Sequence, residues 1–487
     1  MLAAHFATAR APSCHTIKVY DNLPQAIYIS NDRIIPRVDN MKFYNREREL
    51  EVLQRAADDE SPGMIVISGR RRVGKSRLVD EFLKKNRGLK VIVVPKEEKQ
   101  AAADFAEALS DGYKPRFESV KEALEYFFTN SKERILYIDE FPNFLEVNPS
   151  IPYELQKIWE TQKTKTNKIL ILSGSYVSMM DRIFTKQHAP LFNRATHKIL
   201  LEPLQPKVVW AMQKDMGITD PAQQITNYCV LGGIPYYYEI LEKNDPRATP
   251  VENLFFGVGQ LREEGQDILR QEFGSAYKKY FSILEAIGNG LVSGSEIADK
   301  MGIRQTTLSK YLQSLQNDFK LIRRITPFGQ NPYRSKKGLY IITDNLLAFW
   351  FTFAYGNAHA PTKDEITAFV GKRFEPLCRE YLADLLQKRG ERVIKTGKWW
   401  GPVKTNEGYE QRDIDVIIET DKALYLGESK WTNNKIGEHE MKRLKENATG
   451  LPQSKKPVKW VLFSKNGFNT PPPTDALLID AETITKW

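Results

Sequence analysis

Short apolar runs alternate with amphipathic stretches over the first 200 residues of the chain. The runs at residues 64–68, 91–94, 135–138 and 168–172 are brief and continuous, and helical patterns separate them. Continuous apolar runs of this length are typical of strands that are buried on both faces of a sheet. Strands that alternate with helices predict a parallel α/β sheet, in which ligands bind at the carboxyl ends of the strands.

The pattern changes to helical spacing after residue 205. Apolar positions recur at helical spacing through residues 206–273, and the run Gly232-Gly233-Ile234-Pro235 interrupts them. Two glycines and a proline predict a sharp break between two helices. The sequence therefore predicts a helical subdomain after the sheet.

A different arrangement follows the helical subdomain. Helical patterns at residues 280–287, 295–301 and 306–315 precede two short apolar runs, at 321–325 and 339–342, which flank a turn rich in Gly, Pro and Asn. Three helices and a hairpin predict a winged helix-turn-helix. Contact of its basic wing with DNA phosphates is one interpretation, and a structural spacer is the other, because the third helix offers few base-reading side chains. The basic wing residues are Arg323, Arg324, Arg334, Lys336 and Lys337.

The C-terminal third combines a long helical pattern with further strands. A helix is predicted over residues 366–387, and Pro376 should kink it or divide it in two. Strands are predicted at 412–418, 424–431 and 458–464.

Acidic residues cluster on these C-terminal elements. Glu375 lies at the edge of the apolar stripe of the helix, Asp413 and Asp415 alternate with apolar residues, and Glu428 and Lys430 share one face of the next strand. Metal-dependent phosphodiester cleavage needs carboxylates that hold Mg²⁺ and a lysine that steadies the nucleophilic water or the developing charge. An ordinary hairpin with solvated charges is the alternative. The surrounding elements favour a restriction-endonuclease-like α/β domain with Asp415 and Glu428 as metal ligands.

A phosphate-binding motif lies between the first predicted strand and the next helix. Residues 69–76 have the sequence GRRRVGKS, which matches the spacing G-x-x-x-x-G-K-[ST]. In this motif successive backbone amides wrap a polyphosphate, Lys75 reaches the terminal phosphates and the Ser76 hydroxyl faces Mg²⁺. The motif predicts binding of ATP or GTP. The predicted contacts here are Gly69, Arg72, Val73, Gly74, Lys75, Ser76 and Arg77.

The strand at 135–138 ends in Asp139 and Glu140, the pattern of a Walker B element. We expect Asp139 to hold Mg²⁺ and Glu140 to orient or activate the attacking water. The next strand ends near Ser173 and Ser175, whose hydroxyls either lie near the γ-phosphate or belong to a plain strand-to-loop turn.

Arg194 follows in a basic loop. It is a candidate γ-phosphate sensor, in its own subunit or across an interface between subunits. An exposed structural arginine is the alternative.

Composition limits the class of protein and its partners but identifies no further candidate catalytic residues. The chain has 487 residues, 41% hydrophobic and 27% charged, with a net charge of +10 and a pI near 9.1, which permits a nucleic-acid partner. The cysteines Cys14, Cys229 and Cys378 are far apart, so a reducing, cytoplasmic compartment is expected. No apolar run approaches the ~20 residues that a membrane span needs, so no membrane partner is expected.

With these motifs in hand, the chain resembles an ATPase family found mainly in archaea and also in bacteria. Its members pair a P-loop ATPase related to AAA+ and STAND NTPases with a domain of unknown function, DUF234. The resemblance extends over roughly residues 41–470. It rests on Phe43-Tyr44-Asn45-Arg46-Glu47, the phosphate loop, Tyr137-Ile138-Asp139-Glu140-Phe141, Leu172-Ser173-Gly174-Ser175, Gly233-Ile234-Pro235, and Ile341-Ile342-Thr343-Asp344 followed by Phe349-Trp350-Phe351.

The resemblance implies further roles. It makes the nucleotide ATP, places Asn45 and Arg46 near the adenine and makes Pro235 the proline of a G-x-P lid element. The C-terminal part is similar to PD-(D/E)xK nucleases, with Asp415, Glu428 and Lys430 on the motif and Glu375 as the helical acid. The proline expected before the first motif acid is absent.

The predicted organisation has five parts. Residues 1–40 form a loosely ordered extension or an upstream start outside the folded unit. Residues 41–205 form the P-loop ATPase core, 206–273 a helical lid, 274–345 the winged helix and 346–487 the DUF234 nuclease-like domain. The leading hypothesis is an ATPase with Mg²⁺ whose nucleotide state controls a DNA-binding, DNA-cleaving C-terminal half. The alternative is a STAND-like switch in which ATP drives assembly, for example of a homo-oligomer, and the C-terminal domain only binds a partner.

Overall fold

A parallel five-stranded sheet forms the centre of the N-terminal half of the protein. The structure, a computed structural model, describes residues 42–357, 359–405, 408–452, 454–473 and 475–487; the predicted extension over residues 1–40 and Cys14 lie outside them. The strands lie side by side in the order β2-β3-β4-β1-β5, and all neighbours are parallel. They are β1 (Gly63–Ser68), β2 (Gly88–Ile92), β3 (Ile135–Asp139), β4 (Ile169–Gly174) and β5 (His197–Leu200).

The predicted α/β sheet is thus confirmed, with one error. We expected residues 91–94 to form a strand buried on both faces. The strand instead covers Gly88–Ile92, ends before Val94, and is mostly half-buried. It forms an edge of the sheet, so only one of its sides is covered by a neighbouring strand.

Within the described residues, seven α-helices belong to the same N-terminal half of the protein as this sheet. Aromatic and aliphatic side chains from several of them and from β1, β3 and β4 form one buried core, in which Phe105, Phe127 and Phe144 are fully enclosed. This packing holds the carboxyl ends of β1, β3 and β4 in fixed positions. The helices are α1 (Glu47–Asp58), α2 (Lys75–Leu83), α3 (Glu98–Ala108), α4 (Val120–Thr129), α5 (Phe144–Val147), α6 (Ile151–Gln162) and α7 (Val177–Phe184).

The predicted helical subdomain follows β5. It comprises α8 (Pro206–Asp215), α9 (Pro221–Leu231), α10 (Pro235–Lys243) and α11 (Glu264–Phe273), and the predicted break lies between α9 and α10. At that break Gly233 approaches the backbone of Leu204 closely: the Leu204 amide donates a 2.7 Å hydrogen bond to the Gly233 carbonyl, and a Cβ at residue 233 would lie 2.1 Å from the Leu204 carbonyl oxygen. Only glycine fits this crossing.

We expect Gly233→Ala to lower the free energy of unfolding by about 1–3 kcal/mol, because the added methyl group must push two backbone segments apart. Chemical denaturation followed by circular dichroism measures this. Gly294→Ala is the matched control, since its added Cβ would meet only the Tyr340 ring at 3.9 Å. Equal stability of the two variants would contradict the close approach.

The winged-helix prediction is confirmed in its elements. Helices α12 (Tyr277–Gly288), α13 (Gly294–Met301) and α14 (Gln305–Asn317) precede the antiparallel hairpin of β6 (Ile322–Ile325) and β7 (Leu339–Ile342). Asp344 then caps the short helix α15 (Asn345–Phe349), which continues as one π-helical turn over Trp350–Ala354.

A second, mixed sheet forms the C-terminal part. Its strand order is β12-β11-β10-β9-β8, with β8, β9 and β10 antiparallel and β10, β11 and β12 parallel. The elements are α16 (Lys363–Lys388), β8 (Val393–Thr405), β9 (Gly408–Thr420), β10 (Leu424–Lys430), α17 (Glu438–Ala448), β11 (Val458–Ser464), β12 (Ala476–Asp480) and α18 (Ala481–Thr485).

We expect Pro376 to kink the long helix or to divide it in two; the division is wrong, and the kink stays a prediction. Helix α16 is continuous from Lys363 to Lys388, with Pro376 inside it. Phe374, Leu377 and Cys378 are buried on both sides of the proline. Tertiary packing of this apolar face offsets the lost backbone hydrogen bond, which costs about 3 kcal/mol in an isolated helix.

Candidate functional site

The phosphate loop connects β1 to α2 at the carboxyl end of the sheet. Gly69 lies so close to Leu201 that a Cβ would be 2.6 Å from the Leu201 carbonyl oxygen, and Gly74 has a φ of 100°. Lys75 is the first residue of α2 and is 4% exposed. Its ammonium group donates to the carbonyls of Gly69 (3.0 Å) and Arg70 (3.1 Å) and to the Ser175 hydroxyl (2.7 Å). Burial lowers the pKa of Lys75, an effect that the carboxylates of Glu140 and Asp139 oppose.

The carboxyl ends of β3 and β4 complete this site. Asp139 accepts a 2.6 Å hydrogen bond from the Ser76 hydroxyl and a second one from the Ser173 hydroxyl. Glu140 has a φ of 55° and accepts a 2.9 Å hydrogen bond from the Ser175 amide and another from the Ser175 hydroxyl. Both serines at the end of β4 therefore contact the acids of the predicted Walker B element. The Ser76 hydroxyl and the Asp139 carboxylate are adjacent oxygen donors of the kind that Mg²⁺ prefers, so this pair fits the ion.

Other predicted nucleotide contacts lie next to the phosphate loop. The Arg46 guanidinium is buried and donates to the carbonyls of Glu202 (2.7 Å) and Val73 (3.5 Å), so it anchors the start of α1 to the loop. Asn45, just before it, has a φ of 48°. Arg77 lies 3.7 Å from Glu239 on α10, the helix that begins at Pro235. Adenine contact by Asn45 and Arg46, nucleotide contact by Arg77 and the lid role of Pro235 stay predictions.

Arg194 has a partner on the protein surface. Its guanidinium donates to Glu160 on α6 at 3.0 Å and to the Phe192 carbonyl at 2.5 Å. These contacts are those of a structural arginine in this conformation. Its role as a γ-phosphate sensor, in one subunit or across an interface, stays a prediction.

Three acids face the phosphate loop from other elements, and no role was predicted for them, although Asp344 ends one of the motifs that carry the resemblance. Glu264, the first residue of α11, pairs with Arg72 and accepts a 3.1 Å hydrogen bond from the Tyr237 hydroxyl. Asp344, the cap of α15, pairs with Arg70. Glu272 lies in the last turn of α11, near Arg70 and Lys75. Burial raises its pKa to about 7, and the positive charges of Arg70 and Lys75 oppose this rise.

The four predicted C-terminal residues lie on α16, β9 and β10, and Asp415 interacts electrostatically with the other three. Glu428 is 3% exposed, and its pKa is raised to about 7 by burial and by the Asp415 carboxylate. Burial and Asp415 also raise the pKa of Glu375 on α16. Lys430 donates to Glu428 Oε1 at 2.5 Å, while among the described residues Glu428 Oε2 is buried without a hydrogen-bond partner.

Two cations that lie beside these acids, Lys398 and Arg379, were not predicted from the sequence. Lys398 on β8 donates to Glu375 Oε2 at 2.8 Å, and Arg379, one turn after Glu375 on α16, donates to the Asp415 carbonyl. Ser429 holds Asp415 Oδ2 through its amide (3.0 Å) and its hydroxyl (2.9 Å). A lysine in a hairpin strand carries no sequence pattern that separates it from a surface lysine, so Lys398 had no detectable signal.

Within the described residues, no three His, Cys, Asp or Glu side chains are grouped closely enough to hold a metal ion. The C-terminal acids are held by lysine and serine in this conformation. The unpartnered Glu428 oxygen beside Asp415 nevertheless fits a cation, because a buried carboxylate oxygen without a donor is stabilised by one.

The phosphate loop, the paired acids at the end of β3 and the parallel sheet together define a P-loop ATPase. Residues 43–241 match a family of ATPase domains found predominantly in archaea, and residues 355–444 match DUF234, a family of archaeal and bacterial proteins of unknown function. Residues 43–241 therefore carry an archaeal-type ATPase domain and residues 355–444 a DUF234 domain, which confirms the resemblance predicted from the motifs.

Two individual relatives are similar in sequence to this chain. An uncharacterized protein of Methanocaldococcus jannaschii is 29% identical over 419 residues, which cover 81% of this chain and 88% of that protein. An uncharacterized ATP-binding protein of the same organism is 46% identical over 41 residues, which cover 8% of this chain and 70% of that protein.

A solved structure supports the fold. A Walker-type ATPase of Pyrococcus abyssi superposes with a TM-score of 0.51 at 19% identity, covering 66% of this chain and 99% of that one. In the described part of the chain, no helix is both long and apolar enough to cross a bilayer.

Proposed function

We propose that this ATPase uses ATP with Mg²⁺ to control a C-terminal domain that binds DNA and cleaves its phosphodiester bonds. The observation that carries the nuclease proposal is the convergence of Asp415, Glu428 and Glu375 with Lys430 and Lys398 on adjacent elements of one sheet and one helix. Burial and the Asp415 carboxylate raise the pKa of Glu428 and of Glu375, which costs stability, so a site of this kind points to function.

The acid cluster consists of Glu375, Asp415 and Glu428 with the lysines Lys398 and Lys430, and the proposal divides its tasks among these residues. Asp415 and Glu428 would hold a divalent cation, which when bound polarises the phosphodiester and stabilises developing negative charge. Ser429 fixes the orientation of Asp415, and Lys398 fixes that of Glu375. Lys430, released from Glu428, would place its positive charge beside the attacked phosphate.

DNA is the proposed partner because the wing next to this site is basic and exposed. Arg334, Lys336 and Lys337 are exposed at the wing, and the Tyr333 ring is 98% exposed. Arg324 organises the wing from inside, since its guanidinium donates to the carbonyls of Pro332 and Ser335. Exposed cations supply the phosphate contacts on which non-specific DNA affinity depends.

The wing also contacts the strand that enters the acid cluster. The Phe328 amide donates a 2.8 Å hydrogen bond to the Lys398 carbonyl, and the Lys395 ammonium lies 4.8 Å from the Phe328 ring centre. DNA held by the wing would therefore lie near Lys398 and the carboxylates beside it. This neighbourhood supports one continuous site for binding and cleavage.

In the ATPase domain the proposal assigns Mg²⁺ to Ser76 and Asp139 and water activation to Glu140. The Ser175 amide and hydroxyl fix the Glu140 carboxylate at the sheet edge, close to Lys75. A fixed carboxylate near the terminal phosphate is the arrangement that hydrolysis requires.

We expect Lys430→Ala to reduce Mg²⁺-dependent DNA cleavage by about 100-fold, because it removes the positive charge next to Glu428. Cleavage of supercoiled, linear and single-stranded DNA, each with and without ATP, is measured on gels. Lys435→Ala is the matched control, an exposed lysine five residues later. Absence of cleavage by the wild-type protein on all substrates would defeat the nuclease proposal.

The pairing of Lys430 and Lys398 with acids favours a second function. Lys430 with Glu428 and Lys398 with Glu375 neutralise the cluster internally, as in a nuclease-like domain that only binds a partner. In that case ATP would drive assembly of a homo-oligomer, with Arg194 acting across the interface. Light scattering with and without ATP discriminates, since nucleotide-driven oligomers without DNA affinity favour this switch.

A further inference from the structure

We propose that Arg70 and Arg72 are phosphate-binding residues of the ATPase, and that in this conformation Asp344 and Glu264 take the place of the nucleotide phosphates beside them. Nucleotide phosphates would replace these two carboxylates, and the exchange would release α11 and α15 from the phosphate loop. The inference rests on the ATPase alone and does not depend on cleavage by the C-terminal domain.

The first pair joins the loop to the start of α11. The Arg72 guanidinium pairs with Glu264, whose side chain is 3% exposed, and it also lies 4.2 Å from the centre of the Tyr236 ring. Arg72 has a φ of 69°, so the loop backbone itself is bent to present this side chain. A left-handed non-glycine residue in a phosphate loop is strained, which is typical of functional positions.

The second pair joins the loop to the segment that leads into the C-terminal half. Arg70 pairs with Asp344, and the side chains are 23% and 8% exposed. Asp344 also accepts a 2.6 Å hydrogen bond from the Leu347 amide and so caps α15. One carboxylate thus serves both the phosphate loop and the first helix after the winged hairpin.

Between the two pairs, α11 covers the phosphate side of the loop. A cavity of about 10 Å³, room for a single water molecule, remains between Arg70, Arg71, Ser175 and Tyr176 on one side and Ile268, Gln271 and Glu272 on the other. A triphosphate does not fit in this space. Its binding requires that α11 move away, and its negative charges offer the arginines a replacement for the carboxylates that leave.

A phosphate group can replace a carboxylate as the partner of each arginine. A guanidinium binds carboxylate and phosphate with the same fork of donors, so each arginine remains paired before and after nucleotide binds. A buried arginine left without any partner would be costly, which makes a partly exchanged state unfavourable. The conformation of α11 and α15 should therefore follow nucleotide occupancy as a two-state element.

We expect Glu264→Gln and Asp344→Asn each to bind ADP and AMPPNP about 3- to 10-fold more tightly, because the competing internal anion is weakened. Asparagine still caps α15, and glutamine still accepts from Tyr237, so both variants should fold. Isothermal titration measures affinity. Asp267→Asn, an exposed acid on the same helix, is the control and should leave affinity unchanged.

A second measurement uses the unaltered full chain. Amide hydrogen exchange in residues 264–273 and 345–349 should rise when AMPPNP is added, because both segments leave the loop. Unchanged affinity in both variants, or exchange that stays constant or falls on nucleotide addition, would overturn the proposal. Lys75→Ala, which should lose binding altogether, separates this failure from failure of the phosphate loop itself.

Discussion

Lys75→Ala is expected to weaken nucleotide binding by about 100-fold or more and to remove ATP hydrolysis. Lys75 is buried at the start of α2, where it bonds to two carbonyls of the loop and to the Ser175 hydroxyl. In the proposed site its ammonium group is held where the terminal phosphates would arrive, and its fixed position means that little ordering is needed on binding. Titration with ADP and a phosphate-release assay measure the two losses.

The matched control for this variant is Lys85→Ala, an exposed lysine just after the same helix. It should bind and hydrolyse ATP as the wild type does. Thermal unfolding of Lys75→Ala should remain cooperative, which would show that lost binding is not lost folding. Turnover by Lys75→Ala equal to that of the control would contradict the assignment of the phosphate loop.

Glu140→Gln should reduce ATP hydrolysis by at least about 100-fold while nucleotide binding persists. Glutamine keeps the shape of glutamate: its oxygen can accept from the Ser175 amide and its amide nitrogen can donate to the Ser175 hydroxyl, but it cannot take a proton from water. A loss confined to turnover is therefore the signature of a catalytic base, because a binding residue would change affinity instead.

The control is Glu146→Gln, an exposed acid on α5 close in sequence. It should retain full turnover. Measurement of kcat by phosphate release, together with the Kd for AMPPNP, separates the two effects. A Glu140→Gln protein with normal kcat would remove Glu140 from the mechanism.

The motifs that were predicted well are those in which neighbouring residues act together. The phosphate loop and Asp139-Glu140 lie at the ends of continuous buried strands, and such strands deliver the residues that follow them to the same sheet edge. The sequence likewise predicted the winged helix and the strands that carry Asp415 and Glu428, because local periodicity determines these elements. The exceptions were an edge strand and Pro376, where tertiary neighbours changed the local outcome.

What the sequence by itself determined is the class of site: a polyphosphate loop with its acids, and a second set of acids with a lysine. The tertiary structure alone decided which distant groups face these sites. Asp344 reaches Arg70 across 274 residues and Glu264 reaches Arg72 across 192, while Lys398 joins Glu375 from another element. Long-range packing places these charges beside their partners. The sequence pattern around Glu264 and Lys398 is that of an ordinary surface charge, and the motif that ends in Asp344 does not identify its partner, because local periodicity encodes only neighbours in the same element.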